Sequence, residues 1–248
     1  MRDLLLAGLM VLVPLRAADV DAAKAAIARM DAREAVAGRL SEIYERHLGD
    51  DGRSRKTRAE LALDLRADAS TLDLVWDQAL LHRADAEERA RDRNAGESMP
   101  LREALKELDP GRVSHLLDQR TSLLGLLGQG KLLGASDGTW EGRPARKLEL
   151  SVPVRIGDDL LRPRVSSSEG RLTIWLGSDG LPTGSELELS YSGRMGRIFG
   201  RFESRTTIRT RYGVKDSRIF VAHRDTAESF SDDSGHRATY VTLDFQAR

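Results

Sequence analysis

Residues 171–191, RLTIWLGSDGLPTGSELELSY, decide the fold class of this chain. Apolar residues alternate with polar ones on both sides of a turn; they are Leu172, Ile174, Leu176, Leu187, Leu189 and Tyr191. Such alternation is typical of β-strands that bury one face, and the Gly, Asp and Pro of Ser178–Pro182 favour a turn between them. The stretch therefore predicts two antiparallel strands joined by a short turn.

The same pattern continues from Trp140 to the end of the chain. Alternating or β-branched segments at 148–152, 198–212, 214–222 and 239–245 predict further strands, separated by turns rich in Gly, Ser and Asp. No strand-helix-strand rhythm recurs, so the sequence argues against a parallel nucleotide-binding sheet.

More strands are predicted before Asp77. Val36–Leu48 mixes apolar and charged residues in a way that favours an edge strand. Two alternating segments then predict a hairpin with one apolar face, formed by Leu61, Leu63, Leu65, Leu72, Leu74 and Trp76.

Helices are predicted in two regions. Asp19–Met30 has apolar residues at helical spacing. A polar helical stretch covers about 77–93, and an apolar stripe at 101–108 ends at Asp109-Pro110-Gly111. The region from Val113 to Leu133 is apolar, helical in pattern and interrupted by three glycines. We therefore expect a helical insertion at about 77–138.

The first 17 residues predict a secretory signal peptide. Met1-Arg2-Asp3 precedes twelve mostly apolar residues, Leu4–Leu15, and small residues follow. Twelve residues rise about 18 Å as a helix, which is short of the roughly 30 Å needed to cross a bilayer. A buried amino-terminal helix is the alternative. The prediction is a periplasmic protein, a single domain over 18–248, with no transmembrane anchor after cleavage.

Composition narrows the function classes. The 39 basic and 39 acidic residues give a formal net charge of zero, which argues against nucleic acid as a partner because phosphate neutralisation requires a surplus of Lys and Arg. The absence of Cys from the sequence excludes disulfides, thiolate metal sites and a Cys nucleophile. We expect no cofactor.

Two motifs suggest chemistry but are better explained structurally. Gly125–Lys131 matches most of a phosphate-binding loop, but Leu132 replaces the Ser or Thr that would bind the metal. A metal cluster is conceivable from His223, Asp225, Asp232, Asp233 and His236. An exposed hairpin turn with solvated charges is favoured for the latter, and we predict no metal and no catalytic residue.

An arginine-rich strand is predicted near the middle of the C-terminal half. Charged residues occupy alternate positions; they are Arg197, Arg201, Glu203, Arg205, Arg209 and Arg211. Ile198, Phe202, Ile208 and Tyr212 occupy the positions between them. The charged face could meet an acidic partner or anionic head groups, but a solvated outer face paired with Glu186 and Glu188 is favoured.

Long strands with one apolar face need a cover, and the helices at 101–133 provide it. The predicted fold is α+β, a curved antiparallel β-sheet or half-barrel with helices covering its concave face. With the turn Trp175-x-x-x-Asp179-Gly180-Leu181-Pro182, the order of elements over about 30–247 resembles the periplasmic half-barrel superfamily. That superfamily includes the outer-membrane lipoprotein carrier and a related regulator that binds an anti-sigma factor, and the resemblance implies an apolar pocket for acyl chains.

Two functions follow as hypotheses. The first is a non-catalytic periplasmic carrier or binding protein for a lipid, acyl chain or lipoprotein. Its apolar pocket would be lined by Leu61, Leu63, Leu65, Leu72, Leu74, Trp76, Leu172 and Ile174. The second is an envelope protein-protein interaction or regulatory module whose core is packed and holds no ligand. An enzyme of unrecognised type is a weaker third hypothesis.

Overall fold

The structure, a computed structural model, describes residues 14–31, 34–50, 53–195 and 200–248. Across these ranges the chain forms five α-helices: α1 (Pro14–Ala28), α2 (Gln78–Arg93), α3 (Pro100–Glu107), α4 (Pro110–Leu117) and α5 (Arg120–Gln129). It also forms ten strands: β1 (Val36–Asp50), β2 (Arg53–Ala67), β3 (Leu72–Trp76), β4 (Lys131–Trp140), β5 (Arg143–Ser151), β6 (Val165–Leu176), β7 (Pro182–Arg194), β8 (Arg201–Lys215), β9 (Arg218–Asp232) and β10 (Gly235–Ala247). The predicted α+β class with an antiparallel sheet is confirmed. Residues 1–13 of the predicted signal peptide lie outside the residues that the structure describes.

The ten strands described form one open antiparallel sheet in the order β3-β2-β1-β10-β9-β8-β7-β6-β5-β4. Each of β4 to β9 pairs with the next strand along the chain, and β1 pairs with β10 although the two are far apart in sequence. The edges are β3 and β4, and the segment containing α2 to α5 connects them. A connection between opposite edges must pass over one face of the sheet.

That face, called the inner face below, carries two separate apolar clusters. Near β3, Leu63 of β2 packs in one cluster with Leu101 of α3. Near β4, Leu172 of β6 packs in a second cluster with Ile27 of α1 and Leu123 of α5. Each fully buried Leu or Ile side chain contributes about 1.5–3 kcal/mol relative to an exposed one, so the helices are held to the sheet mainly by these clusters.

Aspartates begin two of the inner helices. The Asp77 carboxylate accepts a hydrogen bond from the Ala79 backbone N–H at 2.8 Å at the start of α2. Asp109 accepts from the N–H groups of Gly111 and Arg112 at 2.9 and 3.2 Å, and Pro110 follows it in the first turn of α4. Both are N-caps, which satisfy backbone donors that the helix itself leaves free. Asp109-Pro110-Gly111 therefore ends α3 and begins α4 in the same three residues.

Several element predictions are wrong in detail. β1 is central, between β2 and β10, rather than an edge strand. Leu132 and Leu133 belong to β4, so the helical part of the insertion ends at Gln129. The strand predicted over 214–222 is interrupted by a hairpin turn at Asp216 and Ser217, which have positive φ angles; residues 214 and 215 end β8, and residues 218–222 begin β9. β1 is central because it pairs with the distant β10 as well as with β2, and such pairing overrides local pattern.

Candidate functional site

The inner face is polar in its middle, between the two apolar clusters. Residues paired across neighbouring strands form rows, and one row contains Glu42, Leu243, Arg224, Thr210 and Ser185. The next rows contain Tyr44, Val241, Thr226, Ile208 and Leu187, and then Arg46, Thr239, Glu228, Thr206 and Leu189. Charged groups on a face covered by helices are unusual because burying a charge is costly, so this polar middle is the candidate site.

Glu42 is the most unusual side chain in the polar middle. It is 1% exposed, and neither carboxylate oxygen has a hydrogen-bond partner among the residues that the structure describes. Burial first, and then the charge of Glu107, raise the pKa of Glu42 to about 8, although Arg112 acts in the opposite direction. In the ligand-free chain Glu42 is therefore mostly protonated at pH 7.

A cavity of about 390 Å³ lies against Glu42 between α4 and the sheet, and we call it the polar cavity. Its lining has charged or titratable side chains and an apolar part; the residues are Glu42, Glu107, Arg112, His115, Leu116, Ile208, Arg224, Thr226, Glu228, Thr239, Val241 and Leu243. Cavities of this size that combine apolar walls with a few polar groups are typical of small-molecule sites.

Carboxylates surround one arginine in the polar cavity. Arg112 forms an ion pair with Glu107 and a second with Asp109 at 3.4 Å. Burial and the charge of Glu107 also raise the pKa of Glu228, while Arg112 lowers it. Because Glu107 and Arg112 act on both Glu42 and Glu228, the four groups belong to one electrostatic cluster. Arg112 is exposed and lies at the mouth of the cavity.

Arg224 is the other cation of the polar cavity. Its guanidinium donates to the Thr210 hydroxyl at 3.3 Å and to the Gln119 side-chain oxygen at 3.4 Å. Burial lowers the pKa of Arg224. Arg224 and Glu42 share a row but are separated by Leu243, which places their backbones about 10 Å apart at the usual strand spacing.

Two neighbouring inward side chains of β1, Tyr44 and Arg46, have hydrogen-bond partners, in contrast to Glu42. Glu103 of α3 accepts a hydrogen bond from the Tyr44 hydroxyl at 3.0 Å and one from Arg46 at 2.9 Å. Burial and the Glu103 carboxylate raise the pKa of Tyr44 to about 12. This set of contacts fastens α3 to β1.

Two further cavities adjoin the polar cavity along the inner face. The middle cavity, of about 470 Å³, shares Glu228 and Thr239 with it. The apolar cavity, of about 440 Å³, lies beside α5, shares Arg155 and Leu189 with the middle cavity, and includes Leu126, Val152, Pro153 and Leu187 in its wall. We call the three together the inner groove; one end is charged and the other is apolar.

The residues predicted from the sequence as a pocket lie in the two apolar clusters. Leu61, Leu63 and Leu65 are buried in the first, and Leu72, Leu74 and Trp76 pack against it as the predicted hairpin, with Leu63 opposite Trp76 and Leu65 opposite Leu74. Leu172 and Ile174 are buried in the second cluster. The structure therefore brings six of the eight together and places the other two apart. None of the eight lines the inner groove, and their role in ligand binding stays a prediction.

Sequence reasoning missed the polar cavity, although a signal for it exists. On β1 the inward positions Val36, Leu40 and Tyr44 are buried, and Glu42 interrupts them. On β9 the inward positions include Arg224 and Glu228. Charged residues at inward positions of predicted strands indicate either an error of register or a functional site, and only the strand pairing distinguishes the two.

The candidate metal ligands do not converge. His223 and Asp225 lie within β9, whereas Asp232 and Asp233 are at the hairpin turn before His236. Asp232 is nine positions along the strand from His223, which is about 30 Å. The His223 ring contacts Asp244 through Nδ1 at 2.8 Å and Asp225 through Nε2 at 2.9 Å, on opposite sides of the ring. Within the described ranges, no group of three or more His, Asp or Glu residues is placed to hold a metal ion.

The arginine-rich strand is two-faced, as predicted, over the part of it that the structure describes. In β8 Arg201, Arg205, Arg209 and Arg211 are exposed, while Phe202 is buried. Arg209 pairs in register with Glu186, and its guanidinium lies 4.9 Å from the centre of the Trp140 ring. Arg197 and Ile198 lie outside the described residues.

The glycine-rich segment 125–131 is not a phosphate-binding loop. Gly125 and Gly128 lie within α5, and Lys131 begins β4. A phosphate-binding loop precedes a helix, so that backbone N–H groups at the helix start face the phosphate; here the glycines end one. Among the helices described, none is long and apolar enough to cross a membrane.

Comparison with known proteins gives only distant likenesses. Neither a protein-family model nor a curated protein matches the chain. Among solved structures, a DUF1329 family protein from Desulfovibrio piger is 11% identical, with a TM-score of 0.33, over 94% of this chain and 92% of that one. A MucA/MucB complex from Pseudomonas aeruginosa is 13% identical, with a TM-score of 0.22, over 93% and 94%. TM-scores this low do not establish a shared fold, so the function is inferred from the residues of this chain.

Proposed function

We propose that this chain is a non-catalytic binding or carrier protein for an amphiphilic molecule, a polar head group on an acyl or alkyl chain, in the bacterial periplasm. The sheet would act as a curved half-barrel with the helices over its concave face. The inner groove is the proposed site, with the alkyl chain in the apolar cavity and the head group in the polar cavity.

The observation that carries this proposal is the polarity of the inner groove. Interiors that serve only stability are close-packed, with few voids larger than a water molecule. Here three adjoining cavities of about 390, 470 and 440 Å³ lie on the inner face of the sheet; α4 borders the first, residues 154 and 155 after β5 border the second, and α5 borders the third. Charged side chains line the polar cavity and also the middle cavity, where they include Arg46 and Arg237, whereas Leu126 and Leu187 line the apolar cavity. A charged region that adjoins an apolar one matches the two ends of an amphiphile.

Native mass spectrometry of the chain purified from the periplasm, with organic extraction of co-purifying molecules, tests the proposal. A bound mass that extracts as lipid is the expected result. Decan-1-ol added to the purified chain provides a defined probe, and its binding is followed by calorimetry below the concentration at which it aggregates.

A variant that fills the inner groove tests whether decanol binds there. Leu189→Trp places a larger side chain at a residue that lines both the middle and the apolar cavities, so it should abolish decanol binding. Leu160→Trp introduces the same ring at a residue that is 71% exposed, and should leave binding unchanged. A chain that carries no lipid and binds no decanol, or a Leu189→Trp variant that binds normally, contradicts the proposal.

The second candidate is an envelope interaction module with a packed core. The exposed arginines at 201, 205, 209 and 211 on the outer face of β8 favour it. They would attract an acidic partner surface. Arg201→Glu combined with Arg205→Glu should then weaken capture of that partner by crosslinking in cells while leaving decanol binding intact.

A further inference from the structure

We propose that the polar cavity selects a cationic head group, an ammonium group on the apolar chain, with Glu42 as its counter-ion. This inference rests on the proposed function and specifies the chemistry of the ligand. It concerns the polar end of the inner groove only.

Glu42 faces the cavity without a hydrogen-bond partner among the residues described. Its side chain is 1% exposed and lines the polar cavity. A buried polar group without a partner costs the folded state free energy. A side chain of this kind at the wall of a cavity is explained when a ligand supplies the missing partner.

The charges around the polar cavity favour a positively charged partner. Glu42, Glu107 and Glu228 surround the polar cavity, and Glu107 repels the ionised forms of both of the others. Arg112 is already paired with Glu107 and Asp109. An added cation relieves the repulsion, whereas an added anion increases it, because opposite charges favour the ionised carboxylate.

Arg224 does not reverse this preference. It donates to Thr210 and Gln119, and its backbone lies about 10 Å from that of Glu42 across the row. Thr210 belongs to β8, which is on the side of β9 away from Glu42, so this bond holds the guanidinium on the far side of the row. The apolar side chains of Val241 and Ile208 in the next row provide the wall along which an alkyl chain leaves the head group.

Ligand binding is linked to the loss of a proton from Glu42. In the free chain the pKa of Glu42 is about 8, so at pH 7 about 0.9 of these side chains carry a proton. An alkylammonium ion keeps its own proton at this pH. Its binding therefore converts Glu42 to the carboxylate and releases close to one proton per ligand at pH 7. Affinity should rise about tenfold per pH unit below about pH 7.5 and level off above pH 8.

Other titratable groups face the same space: Glu107 from α3, Arg112 and His115 from α4, and Arg224 and Glu228 from β9. Histidine side chains titrate near neutrality in general, so a His115→Gln variant is included. Proton release on binding of the alkylammonium ion should persist in His115→Gln and be lost in Glu42→Gln.

Calorimetry of the full chain with four probes tests the inference: decylamine, decan-1-ol, decanoate and butylamine, each in two buffers of different ionisation enthalpy. We expect decylamine to bind at least tenfold more tightly than decanol at about pH 8 and to release a proton at pH 7. Decanoate and butylamine, which lack the cation and the chain respectively, should bind weakly. In Glu42→Gln the decylamine affinity should fall to that of decanol, and in Glu60→Gln, an exposed carboxylate on β2, it should not change.

The outcomes separate the two proposals. Equal affinity for decylamine and decanol overturns the cation inference and leaves the amphiphile proposal standing. A preference for decylamine that survives Glu42→Gln also overturns it. Failure of both decyl compounds to bind the wild-type chain overturns the proposed function, and the inference with it.

Discussion

Replacing Glu42 by Gln should make the ligand-free protein more stable at alkaline pH. Gln has nearly the same shape as Glu but cannot ionise. The pKa of Glu42 rises from 4.5 to about 8 in the folded chain, and each pKa unit corresponds to about 1.4 kcal/mol. When Glu42 is fully ionised, the free energy of unfolding is therefore about 5 kcal/mol lower than when it is protonated in both the folded and the unfolded chain.

The direction of the effect follows from where the proton is held. Between about pH 4.5 and pH 8 the unfolded chain has lost the Glu42 proton and the folded chain keeps it, so the free energy of unfolding falls as the pH rises. The difference in free energy of unfolding between Glu42→Gln and wild type should grow by about 1.4 kcal/mol per pH unit in this window and become constant above it. Glu228, whose pKa is also raised, is present in both proteins and largely cancels from the difference.

Urea denaturation at intervals between about pH 5 and pH 9 measures this difference. Glu60→Gln is the matched control, because it removes an exposed carboxylate from the neighbouring strand. Its difference from wild type should not follow the Glu42 curve. If the Glu42→Gln and wild-type stabilities run parallel across the whole pH range, Glu42 has an ordinary pKa and the description of the polar cavity is wrong.

Three further predictions concern packing, the outer face and helix capping. A methyl group at Gly184 would overlap the ring of Trp140, so Gly184→Ala should lower the free energy of unfolding by about 1–3 kcal/mol; unchanged tryptophan fluorescence and stability would contradict this packing. Burial alone would lower the pKa of His223, but its hydrogen bonds with Asp244 and Asp225 raise that pKa overall. In an NMR titration, Asp244→Asn should therefore show a lower pKa for His223 than the wild-type chain does. Asp77→Ala removes the cap of α2 and should cost about 1 kcal/mol in thermal unfolding, whereas an equally stable variant would show that the cap contributes little.

The local sequence pattern was sufficient to predict structure where the interacting residues are close in the chain. The hairpin that pairs Leu63 with Trp76 needs only a short turn between alternating segments. The two faces of β8 likewise follow from alternation, with Arg205 exposed beside buried Ser204. In these cases residues close in the chain decide which side chains share a face, because side chains alternate between the two faces of a strand.

Local pattern failed where the partner strand is distant. β1 is central because it pairs with β10, and Gly38 opposes Ala247 across nearly the whole chain. The alternation within β1 is the same for an edge and for a central strand, so it cannot report the second neighbour. Leu132 was assigned to a helix for a related reason, since a short apolar run fits a helix or a buried strand equally well.

The amino-acid sequence by itself determined the α+β class, the antiparallel pairing of neighbouring strands and the absence of cysteine chemistry, because each depends on composition or on side-chain period over a few residues. Only the tertiary structure decided that Glu42, Leu243 and Arg224 share a row beneath α4. Glu42 lies about 180 positions before Arg224 and about 200 before Leu243 in the chain, and burial and charge act through space. The raised pKa of Glu42 and the polar cavity therefore exist only once β1, β9 and β10 are aligned and the helices cover them.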